Sequence, residues 1–413
     1  MTNYPENELL ALIQDAANTK AKRSSGALHK ADSSNLADSL PFRIIGGGSK
    51  DFYGGALRGV PLSTKALQGV VSYEPSELYI TALAGTPLKD VESVLAEKGQ
   101  YLAFESPNFN AHSTIGGVVG CGLSGPSRAT CGGVRDYVLG LKMINGRGEQ
   151  LSFGGQVMKN VAGYDVSRVL CGSLGTLGLI TEVSLKVLGL PLAEETLVLQ
   201  LSQQRAIDTL NAWGATALAL NASVWASGST LSNPSGGAKG SGPGELWVRL
   251  RGSRAAVSSG VQTVLGHCER GGILVHTIEH DQVREFWSAL KNQELEFFNS
   301  TGSSENCLWR LSVPQKTPEL IIEGVDPSLP QCLEWNAAQR WLWAPSGLSA
   351  RIKGAALKAG GHATLWRVST ARAEEDRGVG VFTPLTQAQR TIQKALQREF
   401  DPWGLFDTGR LEI

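Results

Sequence analysis

Apolar residues recur at helical spacing over residues 6–18, where Leu9, Leu10, Leu12, Ile13 and Ala16 mark one side of a short amphipathic helix. The period then breaks. Residues 19–40, rich in Ser, Lys, Ala and Asp, read as a mobile loop. Phe42-Arg43-Ile44-Ile45 is a strand signal, and residues 70–73 and 78–82 are two more around a Glu74-Pro75-Ser76 turn. A helix follows, with Thr86 expected as its N-cap, Pro87 in the first position and Gly99 as its stop; Leu88, Val91 and Leu95 share its core face. Residues 138–144 and 149–153 form a hairpin around Asn145-Gly146-Arg147-Gly148, and residues 179–187 add a strand before Pro191.

Past residue 192 the pattern changes. Glycine runs give way to a tryptophan-rich stretch in which strands at 246–250 and 273–278 alternate with helices such as 281–293, capped by Asp281. Residues 227–244 are Ser/Gly/Pro-rich and read as a flexible insertion. A last helix spans 386–400 and stops at Asp401-Pro402. The expected class is α+β: residues 1–192 as one domain, residues 193–385 as a smaller cap-like domain, and residues 386–413 as a helix and tail returning to the first.

Chain length, 413 residues, accommodates this division at roughly 100–200 residues per domain. Lys+Arg and Asp+Glu both number 38, so no net positive charge recruits nucleic acid or an anionic membrane, and any bound phosphate must be held locally. The six cysteines show no C-x-x-C, iron–sulfur or zinc spacing, and they read as buried thiols in a reducing cytoplasm. The first residues are acidic and no long apolar run occurs, so neither a signal peptide nor a membrane span is expected.

The 49 glycines crowd into short runs between residues 46 and 189. Gly46-Gly47-Gly48-Ser49-Lys50 follows a strand, and successive glycines there let main-chain N–H groups converge on one anion. Gly120-Cys121-Gly122-Leu123-Ser124-Gly125 spells G-x-G-x-x-G, but Pro126 falls where a Rossmann helix would begin, so that reading is rejected. His276-Thr277-Ile278-Glu279-His280 spells an inverted zinc motif. On a strand its histidines stand ~13 Å apart, too far for one zinc, and no metal site is assigned.

These runs occur in a set order with Ser106-Pro107, Ser113-Thr114-Ile115-Gly116-Gly117, Val134-Arg135-Asp136-Tyr137, Lys159-Asn160-Val161-Ala162-Gly163-Tyr164-Asp165 and Gly172-Ser173-Leu174-Gly175-Thr176-Leu177-Gly178-Leu179-Ile180. In that order the chain resembles the vanillyl-alcohol-oxidase (PCMH-type) FAD-binding family, and within it the FAD-binding subunits of bacterial glycolate oxidases. The resemblance implies a two-part domain with FAD extended between its halves. By position, Gly46, Gly47, Gly48 and Ser49 cradle the pyrophosphate. Pro107, Thr114, Gly116 and Gly117 line flavin and diphosphate, and Gly120, Ser124 and Gly125 continue that wall. Gly175, Gly178 and Ile180 close on the adenine and ribose side. The nest has no His or Cys where some relatives tether flavin, so the FAD is expected to be non-covalent.

The family's H-x-G-D-G-N-type catalytic motif is represented here only by Gly361-His362-Ala363-Thr364, and Asp407-Thr408-Gly409-Arg410 departs from the usual Asn-Pro-Gly-Arg. His362, Arg367 and Tyr137 are the remaining polar candidates for a catalytic role. The resemblance implies a division of labour: this subunit binds FAD and supports electron flow, a sister flavin subunit oxidises a small 2-hydroxy acid, and an iron–sulfur subunit takes the electrons. The alternatives are a self-sufficient 2-hydroxy-acid (D-lactate-type) dehydrogenase and a flavin-free scaffold.

Overall fold

A computed structural model describes residues 6–25, 40–155, 165–227, 244–278, 280–299 and 303–411. Much of the Lys159–Asp165 motif and of the 227–244 insertion lies outside these residues.

The first half is built on an antiparallel five-stranded sheet ordered Val70–Glu74, Tyr79–Leu83, Leu179–Lys186, Val138–Ile144, Gln150–Gly154. Helices Leu88–Ala96 and Ile115–Cys121 pack on it; Leu88, Val91 and Leu95 are fully buried, as their spacing requires. Burying each contributes roughly 1.5–3 kcal/mol. A two-stranded parallel pair, Phe42–Ile45 with Val60–Ser63, sits apart from this sheet, so the half has two parts.

The second half is an eight-stranded sheet whose middle strands are Ala193–Gln200, Glu245–Gly252, Leu220–Ala226, Gln331–Glu334, Gln339–Pro345 and Asn306–Ser312, with Val275–Thr277 and His362–Arg367 at its edges. Helices Gln203–Gly214, Arg254–Gly271 and Ser349–Lys358 bury against it through two apolar clusters that include Trp213, Trp225 and Trp309. An aromatic cluster holds Trp341, Trp343 and Trp366 together with Tyr53 and Leu123 of the first half. An ion-pair cluster ties the halves further: Arg249 donates two bonds of 2.8 Å to Glu105, and Arg251 a third at 3.2 Å.

Two local expectations are corrected. The first helix runs Glu6–Ser24, so residues 19–24 are helical rather than loop. Lys20 explains the extension, since its Nζ bonds the Trp403 and Gly404 carbonyls at 3.2 Å. The second helix is capped at Pro87, not Thr86, whose hydroxyl instead donates to Leu83 O at 2.7 Å. The G-x-G-x-x-G run starts inside the Ile115–Cys121 helix, which ends at Gly122 with φ +62°. That placement agrees with rejecting a Rossmann turn. His276 sits on a strand and His280 opens a helix, and no cluster of three metal-ligating side chains occurs among the described residues.

The C-terminal helix Gln387–Phe400 starts in a Thr386/Gln389 capping box. Asp401 then accepts the Leu405 and Phe406 amides at 2.7 Å and turns the tail back onto the first half, where Phe42 N donates to Leu405 O at 2.6 Å.

Candidate functional site

Strand Phe42–Ile45 delivers the chain into a turn pressed flat on residues 112–114. A Cβ on Gly47 would lie 1.5 Å from His112 O, and one on Gly46 would lie 2.2 Å from Thr114 Oγ1. Gly48 then adopts φ +68°, which L-residues avoid. Among the described residues, no acceptor takes the amides of Gly47, Gly48 and Ser49. Three consecutive free N–H groups form a concave donor surface for an anion.

The facing wall is the Ile115–Cys121 helix. Its first amides are already engaged: Ile115 with Thr86 O, Gly116 with Ala84 O, and Gly117 with the Thr114 hydroxyl. Gly116 serves close packing, because its Cβ would come 2.7 Å from Ala84 Cβ. Gly120 is different: a Cβ there meets nothing within 4 Å. Leu174, Gly175, Gly178 and Ile180 complete the wall, with Thr408 and Arg410 arriving from the tail. The cleft is open to solvent rather than enclosed, and its cavity volume is about 110 Å³.

Lys50 is the buried cation of this cleft. It is 6% exposed, and its Nζ donates to Ser113 Oγ at 2.6 Å and Ser49 Oγ at 3.3 Å. No carboxylate pairs with it among the described ion pairs, and burial pulls the amine below its ordinary value. Arg410 has a structural task. Its guanidinium bonds the carbonyls of Asp51 (3.0 Å), Gly55 (2.9 Å), Lys50 (3.3 Å) and Tyr53, fixing the loop that follows the nest.

Eleven of the residues singled out from sequence line the cleft together: Gly46, Gly47, Gly48, Ser49, Thr114, Gly116, Gly117, Gly120, Gly175, Gly178 and Ile180. Pro107, Ser124 and Gly125 do not join them. They line a second, small cavity of about 20 Å³ between the halves, facing Arg310, Glu334, Gln339, Trp341 and Trp366. Cys121 on the cleft wall and Leu123 at this cavity are neighbours along one segment, so the two spaces adjoin.

None of the three catalytic candidates lines either space. Tyr137 is buried, with its hydroxyl donated to Cys131 O at 2.8 Å, and burial pushes its phenol up. Arg367 donates to Phe298 O at 2.7 Å. His362 opens an edge strand, its imidazole held below the usual value by burial and by Arg310 and Arg128. Sequence reasoning missed Lys50 as a cleft group and Arg410 as its clamp. The signal for the first was its place directly after the glycine run; for the second it was the closing Asp407-Thr408-Gly409-Arg410 segment, whose arginine stands where the family's Asn-Pro-Gly-Arg ending has one.

The donor set suits a flavin dinucleotide: an anion nest, a buried lysine ammonium beside it, and a glycine wall open to a flat group. Three buried hydroxyls beside lining residues, Ser106, Ser173 and Thr181, also lack partners.

The comparisons agree. Residues 28–154 match the FAD binding domain family model. Glycolate oxidase subunit GlcE of Escherichia coli (strain K12) is 36% identical over 387 residues, covering 94% of this chain and 97% of that protein. Glycolate oxidase subunit GlcD of Bacillus subtilis (strain 168) is 32% identical over 140 residues, 34% of this chain and 30% of that one. Among solved structures, an alkyldihydroxyacetonephosphate synthase matches at TM-score 0.64 and 13% identity, covering 98% of this chain and 76% of the other. p-Cresol methylhydroxylase with substrate bound matches at 0.62 and 15%, covering 90% and 84%. At such identities these two show the fold alone. The whole-length match decides the family: the chain belongs to the glycolate oxidase FAD-binding subunits, a PCMH-type group of FAD-dependent oxidoreductases.

Proposed function

We propose that the chain is the FAD-binding subunit of a multi-subunit glycolate oxidase, taking part in oxidation of glycolate to glyoxylate while electrons pass to an iron–sulfur partner. A sister FAD subunit completes the assembly. The cofactor lies non-covalently along the cleft, with its diphosphate on residues 46–49 and Gly120 facing its open side. Residues 1–192 with 386–413 form the cofactor part, and residues 193–385 the cap. The observation that carries this reading is the run of free amides at Gly47, Gly48 and Ser49 beside the buried Lys50 ammonium.

Bound flavin supplies a two-electron acceptor. The chain's own contribution is placement: the nest and Lys50 fix the anionic centre, the tail clamp holds the nest, and the cap's aromatic face keeps water from the adjoining cavity. No helix among the described residues is long and apolar enough to cross a membrane; any membrane association runs through partners.

The test is purification of the full chain alone and with co-expressed partners. The chain alone should carry yellow flavin that acid precipitation releases into the supernatant, and glycolate-dependent reduction of an artificial acceptor should require the partners. A colourless chain that takes up no FAD overturns the cofactor assignment, and robust turnover by the isolated chain replaces the subunit reading with a self-sufficient dehydrogenase.

A further inference from the structure

A groove along the seam between the halves shares no residue with the cofactor cleft and holds a cavity of about 450 Å³. That volume falls within the ~300–1,000 Å³ of small-molecule sites. One wall comes from the first half, from helix Leu88–Ala96, strand Gln100–Tyr101 and Leu190. The other is the cap helix His280–Asn292.

The floor is charged but neutralised. Glu194 pairs with Arg251 on adjacent strands and Thr196 with Arg249, so the four side chains share one sheet face. Arg251 donates to Glu194 at 2.6 Å and to Glu105 at 3.2 Å, and Arg249 donates to both Glu105 oxygens at 2.8 Å. The Arg251 guanidinium lies 5.7 Å from the Tyr101 ring, and that of Arg249 4.7 Å from the Trp287 ring. Trp287 donates its indole N–H to Thr196 Oγ1 at 3.0 Å and so ties the cap helix to the floor.

The cap wall keeps donors in hand. Arg284, Ser288 and Lys291 fall at i, i+4 and i+7 on the helix, which sets the Ser288 hydroxyl between two cations on one face. The Arg284 side chain is 75% exposed, and its pairing with Asp281, at 3.9 Å in solvent, is weak. No partner of the Ser288 hydroxyl occurs among the described residues. Lys291 has three donors and one ion partner, Glu92 at 3.4 Å. The other wall is apolar: Ala96, Leu102 and Leu190 line it, and Leu190 stays 54% exposed although its amide is held on Gly99 O at 2.8 Å. Four cations line the groove, Arg249, Arg251, Arg284 and Lys291, against three carboxylates, Glu92, Glu105 and Glu194. One positive charge is left over, which suits a monoanion better than a phosphate dianion.

We propose that the seam groove binds an amphipathic organic monocarboxylate, its head on the Ser288 hydroxyl between Arg284 and Lys291 and its apolar body against Leu102, Leu190 and Val283. The site goes beyond the cofactor reading and uses none of its residues. A ligand there touches both halves and clamps the cap onto the first.

The test is calorimetric titration of the FAD-loaded full chain with three probes. They are 2-naphthoate; 2-naphthylmethanol, which keeps the rings and loses the charge; and acetate, which keeps the charge alone. 2-Naphthoate should bind at least about tenfold more tightly than either, as loss of a charged hydrogen bond or of the apolar body predicts. It should also raise the unfolding temperature with concentration, as any ligand of the folded state does. Arg284→Gln and Leu190→Ser change exposed side chains outside the cofactor cleft. Each should weaken 2-naphthoate about threefold to tenfold and leave flavin content unchanged. No binding of 2-naphthoate, equal binding of the acid and the alcohol, or either variant binding as the parent does would overturn the proposal. So would release of FAD during the titration, seen as free-flavin fluorescence, because the probe would then be filling the cofactor cleft. A chain that purifies colourless sinks only the cofactor reading, and the same three probes still decide this one.

Discussion

Gly120→Leu separates the cleft as a ligand site from the cleft as a by-product of folding. Gly120 is the penultimate residue of the Ile115–Cys121 helix, and the space beyond its Cα is empty to 4 Å. A side chain there has room for its Cβ and gains helix propensity, stabilising the FAD-free chain by roughly 0.5–1 kcal/mol. The same side chain would stand in the cofactor's volume. Overpacking a fitted space costs about 1–3 kcal/mol, or roughly a fivefold to 150-fold loss of affinity. The control is Gly47→Ala, whose Cβ would fall 1.5 Å from a main-chain oxygen and so damages the fold itself. Denaturant midpoints of the apo-proteins and FAD titrations by fluorescence quenching read the two effects apart. A Gly120→Leu protein that is as stable as the parent and binds FAD as tightly would refute the placement.

Other perturbations follow from the same geometry. Lys50→Met removes a desolvated charge without a carboxylate partner, so the apo-chain should hold or gain stability while FAD affinity falls about tenfold or more, read by the same titration. Because the Lys50 amine is depressed when folded, the unfolded chain binds its proton more tightly. Apo-stability should therefore rise as pH climbs from the lowered folded value toward 10.5, a rise that Lys50→Met abolishes. Arg410→Ala strands several buried carbonyls at ~1–3 kcal/mol each and should lower the melting temperature and flavin content together, with Arg410→Lys a poor rescue. Burial opposes ionisation of Glu105, but Arg249 and Arg251 outweigh it and hold the carboxyl below 4.5. Its contribution is complete above the unfolded value and is lost as pH falls through the folded one. Glu105→Gln should cost about 3–5 kcal/mol in denaturant unfolding and remove that acid-limb loss.

What the sequence made legible was whatever leaves a local trace. Period-two and period-3.6 patterning located the Val138–Ile144 hairpin and the buried face of Leu88, Val91 and Leu95. Glycine runs exposed the cleft wall because backbone approach admits no Cβ. Non-local contacts left no such trace. The first helix extends past its apolar face because Lys20 reaches carbonyls some 383 positions away. Thr86 looks like a cap, yet its hydroxyl finds a nearer carbonyl. Lys50 stood at the end of the nest motif and Arg410 in the closing segment, but the bonds of Arg410 to the Lys50 and Asp51 carbonyls form only when the tail folds back. Pro107, Ser124 and Gly125 were grouped with the cleft by order along the chain, whereas the turn at Gly122 carries Ser124 and Gly125 round to the cap, where Gly125 N bonds Phe104 O beside the segment that holds Pro107.

The central claim is that main-chain amides of residues 46–49 receive the cofactor's diphosphate. Amide hydrogen exchange of the full chain with and without FAD tests it directly. Exchange should slow markedly at Gly47, Gly48 and Ser49, which have no acceptor among the described residues. At Ile115, Gly116 and Gly117, already bonded, the change should be small. Unaltered exchange at residues 47–49 in a chain that demonstrably holds FAD would contradict the account.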